Sequence, residues 1–196
     1  MVTMQHATSL LILALLQSGW TLTPAPPREV RRLYWEVVPE MEVWVRLVPE
    51  VQERRPSVNL VFHAFYPGRA ARDWYTGLPA WPQGVPSRLT ISAEPPPQTI
   101  VRALSLRVTV DDRTIDFNGP DRRYRFLPCP FATDDCVPNA VEADLSPSTL
   151  RLMAAGRSVG GVALGLPFTL AAADQDAVRA FAERVGLWPA AQAPGR

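Results

Sequence analysis

Leu104-Ser-Leu-Arg-Val-Thr-Val-Asp-Asp-Arg-Thr-Ile-Asp-Phe117 is the stretch whose reading decides the fold. Successive side chains of a strand point to opposite faces, so Leu104, Leu106, Val108 and Val110 share one face while Ser105, Arg107 and Thr109 share the other. That is the pattern of a half-buried strand. Asp111 and Asp112 tolerate turn geometry, and Ile115 and Phe117 fall on one side of the return, so the stretch predicts a β-hairpin. Beyond Pro120 a short strand over 124–127 leads to the only two cysteines, Cys129 and Cys136.

The same alternation runs outward in both directions. Upstream, Leu33, Trp35 and Val37 alternate with Tyr34 and Glu36. After Pro39 and Glu40, Met41, Val43, Val45 and Leu47 alternate with Glu42, Trp44 and Arg46, which predicts a second hairpin. The segment 57–66 is apolar on both faces, as expected of a central strand covered on each side. His63 lies inside it, where a lone histidine is expected to be a packed residue with a backbone hydrogen bond. A short strand is predicted over 89–93, before Pro95-Pro-Pro97.

Downstream, Val141, Ala143 and Leu145 alternate with Glu142 and Asp144 in an edge-like strand. Ser146 followed by Pro147 signals a helix start, with Leu150, Met153 and Ala154 as its buried face and Gly156 as its end. Residues 159–170 return to strand, where Gly160, Gly161 and Gly165 indicate a bulge or a close backbone approach. Asp174 is expected to cap a last helix with Val178, Phe181 and Val185 on one face and Gly186 as its stop.

Composition narrows the function classes. At 196 residues, 47% hydrophobic and 20% charged, the chain is long enough for one domain with a real core. Its formal charge of +1 gives no reason to expect nucleic-acid binding, which needs concentrated basic charge. All 20 basic residues are arginine, so neither a Schiff-base lysine nor a phosphate-loop lysine is available. The two histidines, His6 and His63, are too few for a histidine-rich metal site, and no cofactor or metal is implied. The 21 prolines favour short strands and loops over long helices.

The apolar run Leu10–Leu16, followed by Gln17, Ser18, Gly19 and then Thr23-Pro24-Ala25, reads as a secretory signal peptide over residues 1–25, although no Arg or Lys precedes it. It is too short to span a bilayer, which takes ~20 apolar residues. The mature chain is read as one domain over 26–188 with a loose tail over 189–196. In an exported protein Cys129 and Cys136 are expected to form a disulfide, worth roughly 2–3 kcal/mol by the chain-entropy relation.

Four groups of residues invite a chemical reading. In the irregular segment 67–87, Arg69, Arg72, Trp74, Tyr75 and Trp81 combine guanidinium groups with aromatic faces. They are candidates for contact with a sugar ring, an anionic small molecule or a partner loop, or else a cover for the open end of a sandwich. Gly156-Arg-Ser158-Val-Gly160 matches the G-x-S-x-G pattern of serine hydrolases, but a helix precedes it and a strand follows, the reverse of a nucleophile elbow. Asp134, Asp135, Asn139, Glu142 and Asp144 are oxygen ligands without calcium-loop spacing and read as a solvated turn. Arg122, Arg123 and Arg125 read as an exposed strand face.

A family resemblance rests on the C-terminal half. A strand pair, Tyr124-Arg-Phe-Leu-Pro-Cys129, Cys136 followed by Val-Pro-Asn-Ala140, Glu142-Ala-Asp-Leu-Ser146 leading to Leu150 and Leu152, Gly156, and Leu166-Pro-Phe-Thr-Leu170 together resemble the invasion-associated locus B family of bacterial secreted proteins. The resemblance covers about two-fifths of the mature chain and carries no catalytic signature. It implies an exported, disulfide-containing β-sandwich without a cofactor.

The sequence therefore predicts a mainly β protein, an antiparallel β-sandwich of roughly seven to nine strands with one or two short C-terminal helices. The expected function is a periplasmic or secreted binding or accessory module without catalytic activity, acting on a protein or small-molecule partner, with no membrane span in the mature chain. The alternatives are a hydrolase with a site around His63 and a structural subunit of an envelope assembly.

Overall fold

The computed structural model describes residues 28–35, 39–49, 58–68, 80–95, 101, 103–120, 122–126 and 138–188. Within them lie ten strands and two helices: β1 (Arg31–Trp35), β2 (Glu40–Leu47), β3 (Asn59–Pro67), β4 (Arg88–Glu94), β5 (Leu106–Val110), β6 (Arg113–Asp116), β7 (Arg123–Phe126), β8 (Pro138–Asp144), α1 (Pro147–Ala155), β9 (Val159–Ala163), β10 (Leu166–Thr169) and α2 (Ala172–Arg184). They form a β-sandwich. One sheet has the order β1-β2-β3-β4-β8-β7 and the other β10-β9-β5-β6, with every pairing antiparallel. The signal-peptide segment, both cysteines, the tail, and the candidates Arg69, Arg72, Trp74 and Tyr75 lie outside the described residues.

Alternation fixes which side of each strand meets the core. Val43, Val45, Phe62, Ile91 and Val141 of the larger sheet are fully buried together with Leu106, Val108, Val110 and Val159 of the smaller one. Leu150 and Met153 from α1 and Phe181 from α2 join the same cluster, and the Phe62 and Phe181 rings lie 6.0 Å apart. Burying each such side chain contributes on the order of 1.5–3 kcal/mol.

The 104–117 hairpin forms as its alternation dictates, with Val110 opposite Arg113 across the two-residue turn Asp111-Asp112. Asp111 takes a positive φ of 51°. Its carboxylate accepts hydrogen bonds from the N–H groups of Arg157 and Ser158 at 3.1 and 3.0 Å, tying this turn to the loop between α1 and β9. The Ser146 hydroxyl caps α1 by accepting from the Thr149 N–H at 3.0 Å, and Leu150, Met153 and Ala154 are its buried residues.

Three local readings change, and the structure settles a fourth point that alternation left open. Residues 159–170 form a hairpin rather than one strand, because Leu164 and Gly165 adopt φ of 55° and 76° and turn β9 into β10. Asp174 lies one turn inside α2: Ala171 is the N-cap, and the Asp174 carboxylate accepts from its N–H at 3.3 Å. Strand β8 is interior, between β4 and β7, which buries Glu142. In β1 the half-buried Tyr34 faces the core and its two neighbours turn outward. The register sets Tyr34 opposite the core residue Met41 and Leu33 opposite Glu42, so Leu33 and Trp35 are exposed.

One buried polar group stands out in the core. The Tyr66 hydroxyl has no hydrogen-bond partner, and burial pushes its phenol from 10.0 up to about 12. A folded state that holds this proton more tightly than the unfolded chain has its full stability below pH 10 and loses it as pH rises toward 12. Tyr66→Phe is expected to match the parent at neutral pH, or exceed it by up to about 1 kcal/mol, and to lessen the alkaline loss. Urea midpoints at neutral and alkaline pH test this, and a marked destabilisation at neutral pH would contradict it.

Candidate functional site

The outward face of the larger sheet carries a row of polar side chains that runs across all six strands. Sheet pairing sets His63 directly opposite Trp44 on one side and Thr90 on the other. Its neighbours on the diagonals are Glu42 and Ser92, within reach of a long side chain. Glu42 Oε1 lies 2.5 Å from His63 Nδ1, and Trp35 Nε1 donates to Glu42 Oε2 at 2.9 Å. On the far side of the ring, Ser92 Oγ is 3.5 Å from His63 Nε2.

The row continues along β8 and β7. Glu142 stands opposite Ser92, and Arg123 stands opposite Glu142. Arg123 reaches Glu142 at 3.9 Å and Asp144 at 3.2 Å. Glu42, His63, Thr90, Ser92 and Glu142 are all buried, Thr90 and Ser92 completely. The Thr90 hydroxyl has no hydrogen-bond partner. The Phe65 ring stacks on His63 with centroids 6.0 Å apart, and the Arg88 guanidinium lies 4.0 Å from the Phe65 centroid.

His63 is therefore packed, as expected, but its partners are side chains rather than a backbone group. A carboxylate on Nδ1 fixes the ring, and the other nitrogen faces a hydroxyl. That is the order of groups in an acid–imidazole–serine site. Catalysis there further requires substrate to reach the hydroxyl, and Ser92 is 0% exposed. Glu42 and Ser92 escaped the sequence reading because they lie 21 and 29 residues from His63. The usable signal was that all three fall on the outward side of their strands once β2, β3 and β4 pair.

Trp81 is half-buried against the core. The guanidinium carbons of Arg32, on β1, and Arg184, in the last turn of α2, lie 4.6 and 4.4 Å from the centroid of its ring. The ring thus packs on the core and also gathers two positive charges from separate elements.

Of the remaining sequence candidates, Asp134 and Asp135 and the side chains of Arg125 and Asn139 lie outside the described residues. Ser158 follows α1 and precedes β9, and its N–H is bonded to Asp111, so the G-x-S-x-G match is a helix-to-strand turn. Asp144 pairs with Arg123, and no cluster of three metal-ligating side chains exists among the described residues. Arg122 donates to the Leu104 carbonyl at 3.4 Å. A shallow cleft lies between Asp116, Phe117, Gly119, Arg122, Ala143 and Asp144. The Asn118 backbone N–H and, after it, the Arg107 guanidinium hold the Asp116 carboxyl below its usual range.

Compared with protein families, curated proteins and solved structures, the chain matches none.

Proposed function

We propose that this chain is an exported, non-catalytic binding or accessory module, similar to the invasion-associated locus B proteins. The observation that carries the non-catalytic half is the complete burial of Ser92, the hydroxyl beside His63. A row of buried polar groups on the outward face of the larger sheet, most of them bonded to one another, reads as a network that fixes strand register, a role open to buried polar residues. The export half rests on the apolar run Leu10–Leu16 with its small-residue follow-on, and on the cysteine pair Cys129 and Cys136. Arg69, Arg72, Trp74, Tyr75 and Trp81 remain the proposed contact residues.

One observation favours a second reading, a serine hydrolase: Glu42, His63 and Ser92 stand in the order a triad needs. A fluorophosphonate probe separates the two. The native protein is expected to give no adduct at Ser92, whereas stoichiometric labelling that disappears in Ser92→Ala would establish an active nucleophile.

A further inference from the structure

We propose that Arg32, Trp81 and Arg184 form a binding site for a tetrahedral oxyanion, the phosphate group of a small ligand. This deepens the binding-module reading and rests on it. Both guanidinium carbons lie close to one indole ring, at 4.6 and 4.4 Å from its centroid. The two charges are consequently no more than roughly 9 Å apart, about one Debye length at physiological salt, so they repel one another. Among the described residues no carboxylate pairs with either arginine, in contrast to Arg28, Arg31, Arg46, Arg107, Arg123 and Arg179, each of which has an acidic partner. An anion bound beside the ring, within reach of both guanidinium groups, relieves that repulsion.

The arrangement is also preorganised. Arg32 projects from β1 beside Val43, Trp81 comes from the segment before β4, and Arg184 ends α2, so three elements of the fold fix the site. The segment before β4 passes the end of α2 closely: a Cβ built on Gly186 would lie 3.8 Å from the Gly84 carbonyl oxygen. A guanidinium lying against an aromatic ring keeps its in-plane N–H groups available for paired hydrogen bonds. A tetrahedral dianion offers acceptors in several directions, so two forks can grip it together. A carboxylate offers one planar edge and suits a single fork.

The probe is inorganic phosphate, titrated into the full-length protein by calorimetry and followed by its effect on Tm, with sodium chloride at matched ionic strength as control. The expected result is a phosphate-specific rise in Tm. Arg184→Gln should bind at least tenfold more weakly and lose that rise. Arg184 is exposed, so this variant keeps the fold; Arg32→Gln, half-buried, serves as the second variant. A parent protein indifferent to phosphate beyond the chloride control overturns the site, as does an unchanged response in Arg184→Gln. These outcomes are independent of Ser92: probe labelling there with phosphate binding intact overturns the non-catalytic reading alone.

Discussion

Gly161→Ala is expected to destabilise the protein by about 3 kcal/mol, the upper part of the range for forced overpacking with backbone strain. Gly161 sits in β9 opposite Val108, with φ at +154°, and a Cβ there would lie 2.1 Å from the Arg107 carbonyl oxygen and 3.0 Å from the Val108 Cα. Those neighbours are backbone of the central hairpin and can move only by breaking the β5–β9 ladder. Gly165 provides the control. It has φ +76°, but its nearest neighbour to an added Cβ is the Ala103 methyl at 3.5 Å, an ordinary contact. Gly165→Ala should therefore cost only the left-handed backbone penalty, about 1–2 kcal/mol. Urea unfolding of both variants decides the matter, and equal losses would show that the close approach at β5 does not constrain the sandwich.

Glu42→Ala carries the second large effect, a loss of about 3 kcal/mol. The substitution strips an acceptor from the His63 imidazole and from the Trp35 indole at once, and the His63 and Glu42 side chains are only 8% and 11% exposed. Breaking one side of a buried pair costs more than removing both, because the survivor is left without a partner. The double variant Glu42→Leu with His63→Leu should then lose clearly less than the sum of the two single leucine variants, with a coupling of roughly 1–3 kcal/mol. Strictly additive losses in chemical denaturation would mean that the pair does not act as a unit.

The residues that announced themselves in the sequence did so through local patterning. The 104–117 hairpin, the Ser146 cap, the buried face of α1 and the two-sided apolar run of β3 each depend on neighbours a few residues away. What escaped depends on register between distant strands. The outward turn of Leu33 and Trp35 follows from pairing Leu33 with Glu42, which alternation within β1 cannot specify. The split of 159–170 hinged on Leu164, a residue type that gives no turn signal, adopting positive φ beside Gly165. The His63 row is the same lesson at the candidate site: three strands contribute one residue each, and only sheet order joins them. Trp81 was legible as an aromatic in an irregular segment, but its two arginines come from elements far away in the chain.

The most direct test of the proposed exported module is the intact mass of the chain recovered from fractions of its native host, alkylated before and after reduction. The account predicts a periplasmic or secreted species that begins near Pro26 and takes up two alkyl groups only after reduction, at Cys129 and Cys136. A full-length cytoplasmic species whose two thiols alkylate without reductant would contradict it.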